Sequence, residues 1–581
     1  MQKFDLVIRG GEIHDGLGSP ARKADIGILD GRIHTIGGIA PDAGREIDAG
    51  GCIVTPGFVD IHTHYDGQAT WEDRLWPSSF HGVTTVVMGN CGVGFAPVRQ
   101  ADQARLIEVM EGIEDIPGSA LHEGLSWNWE SFPDYLDALE AKAFDADVAA
   151  QVPHAALRLY VMGERGARLE PATKDDIEEM RRIVTEAIRA GALGFTTSRT
   201  RNHRTAAGDP TPSLRAEESE LTGIAHALAD AGSGVMQFIS DFASRQGDEF
   251  GMLSRVVKAS GRPASISLAQ AHARPDGWKA LLERIEASKA DGLDMRAQVA
   301  PRPIGVMLGL QTTYGPFQNC PSFKEIADRP LPGIVAIMKD KAFRHRLLEE
   351  ERAWPGFGLG ATAVPIDYRG VFPLGNPPDY EPAPEKSVAA IARRLGITEA
   401  EAAYDLLLED DGKALLLMPF ANFAQGTLEP VREMLANERS ILGLGDGGAH
   451  VGIISDASFP TYLLSHWGRD RAEGRFDLPF LIRKMTSMTA AAVGLHDRGT
   501  LEPGMKADIN VIDLDALGLG VPEIVRDLPA GGKRLVQRST GYRASIVSGV
   551  PTYLEGEATG ALPGRLVRGS RRSPRQRPHR G

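Results

Sequence analysis

Residues 56–64 read Pro56-Gly57-Phe58-Val59-Asp60-Ile61-His62-Thr63-His64. Phe, Val and Ile mark a buried strand, expected over 57–64, and Pro-Gly opens it with a turn. Side chains alternate along a strand, so Asp60, His62 and His64 share one face. Two imidazoles spaced i, i+2 at a strand end can chelate one metal ion. Alone, the pair reads equally well as two satisfied polar residues in a loop. The decision turns on whether other strands deliver ligands to the same place.

Outward from this stretch, strand patterns recur at 83–89, 148–154, 192–198, 234–240, 264–272, 294–303 and 440–447, with helical patterns between most of them. The clearest helix follows Thr173, with Asp176 three residues on as a short capping box and an apolar stripe of Ile177, Met180, Val184, Ala187 and Ile188 before Gly191. Eight strands with intervening helices predict an α/β chain, a TIM-like parallel (β/α)8 barrel over 56–499 with its active site at the C-terminal rim of the strands. Two insertions stretch the repeat. Residues 112–145 hold Trp127, Trp129, Phe132 and Tyr135, read as a local mini-core. Residues 304–439 hold helix-like segments at 384–395 and 399–408 and a Pro-rich loop at 365–384, read as a lid or specificity element.

The two ends look alike. Asp5–Arg9 and Ala24–Leu29, with Asp30-Gly31 as a hairpin turn, match Lys506–Asp513 and Ala544–Val550 in strand character. Residues 1–55 and 500–560 are therefore expected to build one small β-sandwich from both termini. The tail, 563–581, carries seven arginines and almost no apolar residues, and is expected to be disordered.

Composition bounds the rest. The chain has 581 residues, 42% of them apolar, and a net charge of -13, which argues against a nucleic-acid partner. Three cysteines, Cys52, Cys91 and Cys320, cannot form a disulfide framework. No signal sequence and no run of about 18 apolar residues is visible, so no membrane contact is expected. The expected location is the cytoplasm and the expected partner a small-molecule substrate, with oligomerisation left open.

Further metal-binding residue types fall at the inferred rim. Cys91 follows the second strand; as a thiolate it binds zinc, and as a buried thiol it is a small hydrophobe. His272 ends the sixth strand, with Arg274 two residues on. Asp446 ends the eighth among glycines, where it can bind metal and take a proton from water, or simply make an Asx turn. With His62 and His64 these make five ligand candidates on four strand ends, and the set favours a metal site. His203 and His450 follow strands four and eight and are candidates for lining the pocket.

At these residues the sequence resembles the amidohydrolase superfamily, and within it the D-aminoacylase (N-acyl-D-amino-acid deacylase) family. The resemblance rests on Val54–His64, Gly82-Val83-Thr84-Thr85-Val86, Gly89-Asn90-Cys91-Gly92, Gly445-Asp446-Gly447, Arg483–Ser487, Asp497-Arg498-Gly499 and Leu501–Ile509. It implies the barrel with a β-sandwich and amide hydrolysis by a metal-activated water. It implies His62 and His64 as ligands of one metal position, Cys91 as a ligand able to bridge to a second, His272 as the strand-six ligand and Asp446 as general base and acid. Arg274 fits the place where such enzymes hold a substrate carboxylate. Three departures stand out. Strand five, Gly234–Asp241, lacks the family's histidine, leaving Gln237 or Asp241 as substitutes or the site mononuclear. Strand four has no lysine to bridge two metals. Strand seven puts Arg302 where a tyrosine is usual, making it a second candidate for the carboxylate. The expected function is metal-dependent hydrolysis of N-acyl-(D-)amino acids or similar carboxylate-bearing amides, with zinc, one ion firmly held and a second left open. The alternatives are another amidohydrolase substrate (a cyclic amide, a lactone or another N-acyl compound) and an inactive ligand-binding barrel.

Overall fold

Eight short parallel strands ring the middle of the molecule: Phe58–Asp60, Val83–Met88, Asp147–Ala150, Gly194–Arg199, Val235–Ser240, Ala264–Ser267, Met295–Val299 and Ser440–Leu442. The structure is a computed structural model and describes residues 3–39, 44–242, 247–353, 356–359, 362–571 and 574. Strands one to three pair in order. Strand three continues as Val152–Pro153, which pairs with strand four, and strands four to eight follow in parallel register. A parallel bridge between Thr63 and Gly447 joins strand eight back to strand one and closes the barrel. All eight expected strands are present. The first is shorter than expected, ending at Asp60, so the histidine pair lies on the extended segment just beyond it.

The helices between the strands obey their local sequence. Lys174–Ala190 starts at Thr173, whose hydroxyl accepts from the Asp176 amide while Asp176 answers the Thr173 amide, and it stops at Gly191 (φ 123°). Its Met180, Ile183, Val184, Ala187 and Ile188 face the barrel.

The chain ends meet in one nine-stranded sheet. Ile509–Ile512 from the C-terminal part pairs antiparallel with Ile53–Pro56 from the N-terminal part, aligning Ile509 with Pro56. Asp30 (φ 49°) and Gly31 (φ 69°) turn the hairpin between Arg22–Leu29 and Arg32–Gly37, the left-handed pair that a tight antiparallel turn demands. Ile53–Pro56 then leads within two residues into barrel strand one, so the sheet fixes where the histidine segment begins.

The C-terminal tail corrects an expectation. Residues 564–571 are not loose: Gly564 exchanges backbone hydrogen bonds with Phe144, Val567 donates to Val148, Gly569 to Gly191 and Arg571 to Gly494. Leu566 and Val567 are buried. Composition reads such a stretch as solvated because it counts side chains, whereas here backbone groups do the binding. The rest of the expected disordered segment, 572–573 and 575–581, lies outside the described residues.

The 112–145 aromatics stack on one another, Trp129 against Tyr135 at 5.2 Å, and merge with the barrel core through Phe95. The 304–439 insertion has its own core of Val306, Leu308, Phe317, Ile334, Leu347, Tyr404 and Leu416, built around antiparallel strands Ile304–Leu308 and Leu416–Ala421. Among the described residues no helix is long and apolar enough to cross a membrane.

Candidate metal centre

The site is assembled where three rim segments touch. The Asp60 carboxylate accepts from the His62 amide (3.1 Å) as the chain leaves strand one. The His62 carbonyl accepts from the Asp446 amide (3.0 Å), and the His64 amide donates to the Gly447 carbonyl (2.8 Å), so the histidine and aspartate segments run side by side. Asn90 donates to the carbonyls of Thr63 (3.1 Å) and Val87 (2.8 Å) and ties the cysteine loop to the same segment. The glycines here are needed for space. A Cβ on Gly89 (φ 81°) would meet the Gln151 carbonyl oxygen at 2.2 Å, and one on Gly445 would meet the Asp60 carboxylate at 2.9 Å. Cys91, Leu444, Asp446 and His450 all carry left-handed backbone (φ 53°, 60°, 45° and 51°), strain that the surrounding contacts hold in place.

The donor atoms converge. Nε2 of His62 lies 3.3 Å from Cys91 Sγ and 3.4 Å from Asp446 Oδ1; Nε2 of His64 lies 3.6 Å from the same oxygen. His62, His64 and Cys91 have ligand atoms within 4.8 Å of one another, and all three are buried. Donors bound about 2.0–2.3 Å from a shared ion at tetrahedral angles sit about 3.3–3.8 Å apart. The His62–Cys91 separation of 3.3 Å falls in that range, and Asp446 stands beside the trio, outside the cluster of His62, His64 and Cys91. The electrostatics point the same way. Asp446 Oδ1 is buried without a hydrogen bond. Burial alone would raise the Asp446 carboxyl, but His64, His62 and His450 outweigh it and hold it well below the usual carboxylate range. Burial, then the Glu114 and Asp446 charges, push the Cys91 thiol up. A cation in their midst reverses that penalty and deprotonates the thiol.

Sequence reasoning gave no role in the site to three groups that surround these ligands, one of which, Asp60, it had placed on the face of His62 and His64. Gln298 on strand seven puts Oε1 2.5 Å from His62 Nδ1, which turns Nε2 into the site. Asp60 lies beneath it, its carboxyl raised to about 7 by burial and by Asp446. Glu114, at the end of helix Gln103–Glu114, lies 3.4 Å from His64 Nδ1 and 3.5 Å from His450 Nε2. Asp60 and Gln298 stand two residues before a named candidate or on an inward-facing strand position, so a register argument could have reached them. Nothing in the sequence around Glu114 marks it.

The remaining candidates divide. His203 and His450 belong to the site. His203 bonds Ser198 through Nδ1 (2.8 Å) and is lowered to about 3 by burial and by His450 and His64. His450 is lowered to about 4 by burial against the opposing pull of Asp446. Both are therefore neutral imidazoles at neutral pH. Gln237 stands on strand five facing the cysteine loop, its Oε1 accepting from the Cys91 amide (3.1 Å) and its Nε2 reaching Ser267 (3.3 Å). His272 departs from expectation. Strand six ends at Ser267, and the chain beyond it is drawn aside by Gln270, which bonds Asn422 and Gln425, and by the Ala271–Ala421 bridge. His272 is left exposed and outside the group of converging donors. Arg274 is exposed on the same turn. Arg302 also departs from expectation. Its guanidinium is fully buried, bonds Asp456 (2.8 Å) and the Ser455 carbonyl (2.8 Å), and stacks 3.8 Å from the Tyr380 ring centre. A group with no exposed surface and a carboxylate already beside it does not offer a fork to a substrate in this arrangement.

The amidohydrolase family profile matches residues 45–553. A D-aminoacylase from Alcaligenes xylosoxydans xylosoxydans is 27% identical over 578 residues, covering 97% of this chain and 98% of the relative. An N-acyl-D-glutamate deacylase from the same organism is 34% identical over 313 residues, 52% of this chain and 58% of that one. Among solved structures, a crystal structure of D-aminoacylase superposes with a TM-score of 0.64 at 25% identity, covering 98% of this chain and 100% of that one. With a family profile that spans most of the sequence, a barrel joined to a two-ended β-sheet, and metal-binding residue types gathered at the barrel mouth, the chain belongs to the amidohydrolase family and is a hydrolase.

Proposed function

We propose that the chain hydrolyses the amide bond of N-acyl-D-amino acids, using one zinc ion held by His62, His64 and Cys91 with Asp446 beside it. The observation that carries this reading is the convergence of those donors, with Asp446 Oδ1 3.4 Å and 3.6 Å from the two imidazole nitrogens. The full-length similarity to a D-aminoacylase supports the substrate class.

Such an ion supplies polarisation of the amide carbonyl and acidifies water. Asp446 takes the proton of the attacking water and returns it to the leaving amine; the surrounding imidazoles keep it ionised, free to accept that proton. Neutral His203 flanks it and can donate to the developing oxyanion, while His450, whose Nε2 faces Glu114 at 3.5 Å, packs beside it. Arg274, exposed on the turn after strand six, is the candidate partner for the substrate carboxylate. A single ion is favoured because the strand-five position is filled by Gln237, whose carboxamide is already engaged with Cys91 and Ser267, and because His272 stands apart.

The test is metal analysis combined with a panel of N-acyl-D- and N-acyl-L-amino acids, hydantoins and lactones. About one zinc per chain and hydrolysis confined to the D series are expected. D446N should lower kcat by about 10²–10⁴-fold, and undiminished turnover in that variant would remove Asp446 from the mechanism. Turnover of cyclic amides or lactones alone would replace the substrate assignment.

A further inference from the structure

Helix Gln103–Glu114 is not part of the barrel's strand-end machinery, yet its last residue reaches the centre of the site. Glu114 is 1% exposed. Its two oxygens face two different imidazoles: Oε1 lies 3.4 Å from His64 Nδ1 and Oε2 lies 3.5 Å from His450 Nε2. His64 Nδ1 and Glu114 Oε1 are both buried and make no hydrogen bond within normal geometry, and they face one another at 3.4 Å, so a small shift pairs them. The carboxyl is on the side of the His64 ring opposite Nε2, the nitrogen that faces Asp446. It therefore cannot share the ion with His64; it can only set the ring's orientation.

The helix end is held firmly enough to do this. The Glu114 carbonyl accepts from the His450 amide. Asp115 (φ 50°) reverses the chain and its Oδ2 accepts from the Gly452 amide (3.0 Å) and the Thr313 hydroxyl (3.2 Å). On the other flank Glu108 accepts from the Ala206 amide (2.9 Å), and Gly112 packs so tightly that a Cβ there would meet the Thr205 backbone at 2.1 Å. The helix is clamped between the loop that carries His203 and the loop that carries His450.

We propose that Glu114 is a positioning residue for the metal centre, fixing His64 and His450 from outside the barrel. His62 has its own orienting group, Gln298, at 2.5 Å from Nδ1. Glu114 is the counterpart for His64, and the two ligand imidazoles are thus aimed by independent elements. Ionised, the carboxylate offers an acceptor to each imidazole, although without a cation nearby burial and the Asp446 and Asp66 charges push its carboxyl well up. Glutamine keeps the shape but has one acceptor oxygen, so E114Q must fail one of the two rings.

This inference rests on His64 being a metal ligand, and the test separates the two. Zinc affinity is measured by competition with a chromophoric chelator for wild type, H64A, E114Q, E114A and D115N, with far-UV circular dichroism as the check on folding. E114Q and E114A should lose about 10–100-fold in zinc affinity with the dichroism unchanged. D115N disturbs the docking of the same loop without touching an imidazole, and should stay within about threefold of wild type. Should E114A fail to fold, the isosteric E114Q carries the result. The absorption bands of the cobalt-loaded protein should shift in E114Q and not in D115N. Zinc affinity in E114Q within about threefold of wild type, or an equal loss in D115N, overturns the positioning role. Wild-type affinity in H64A would instead overturn the metal-site reading itself.

Discussion

Arg302 shows how one residue can stand where its sequence position predicts and yet be held by one of the protein's own loops, with Nε and Nη1 left without a hydrogen-bond partner. It does stand at the end of strand seven, as its sequence position predicts, but Ser455 and Asp456 reach it from the loop after strand eight and enclose it. The ion pair with Asp456 is buried on both sides, and burial raises the Asp456 carboxyl to about 6 even with Arg302 beside it. Removing one member strands the other. R302A should therefore cost about 3–5 kcal/mol of stability, read as a lower denaturation midpoint, and R302M/D456N should recover a large part of it. A substrate-binding arginine would behave differently, raising KM with the midpoint unchanged. His62, His64, Cys91 and Asp446 were legible because their chemistry is rare at strand ends and four such residues on three segments are hard to explain otherwise. Glu114 and the diversion of His272 were not legible, because each depends on which distant loop arrives at that point. A glutamate at a helix end and a histidine five residues past a short strand look ordinary until Gln270 and Asn422, or Asp115 and Gly452, are seen in contact.

At the level of elements, the loop at 365–384 is a case where the periodicity identified an insertion but not its anchor. Tyr380 lies over Arg302, and Glu381 is held by His466 (2.9 Å), Arg471 (3.0 Å and 3.1 Å) and the Leu428 amide (3.0 Å). His466 and Arg471 belong to Leu463–Asp470 and the turn after it, whose π-helical backbone sets His466 stacked on Tyr462 at 4.6 Å. Burial would raise the Glu381 carboxyl, but His466, Arg471 and the amide outweigh it and bring it down to about 2. A carboxyl depressed in the folded state stabilises fully above its ordinary value, near 4.5, and that contribution is lost as pH falls from there through about 2. Docking of this loop should thus be flat from pH 7 to about 5 and weaken below about 4.5. E381Q should lose about 1–3 kcal/mol at neutral pH and show no further loss attributable to this group on acidification. Limited proteolysis of the loop across pH 7 to 3 measures it; an E381Q profile parallel to wild type would remove Glu381 as the anchor.

For the molecule as a whole, the order of the chain explains what stabilises the site. The sheet built from both ends delivers Ile53–Pro56 to the foot of strand one, and residues 564–571 bind the barrel on the same, N-terminal side, away from the site. Phe144, Val148, Gly191 and Gly494 all receive or give backbone hydrogen bonds to residues 564–571, so this short strap joins segments more than 300 residues apart in sequence. It is remote from the metal centre, since strand-end chemistry sits at the other rim. Its removal should therefore separate stability from activity. Leu566 and Val567 each bury a side chain worth about 1.5–3 kcal/mol, an upper bound because the unfolded chain already buries some of that area. A chain ending at residue 562 should lose about 3–6 kcal/mol of stability and unfold several degrees lower. Below that transition it should keep its zinc affinity and its kcat/KM. L566A and V567A should each reproduce part of the loss. A truncated chain with an unchanged midpoint would return this segment to the solvated tail that its composition suggests. A chain that folds normally but has lost its zinc would mean that the strap acts on the site through the strands themselves.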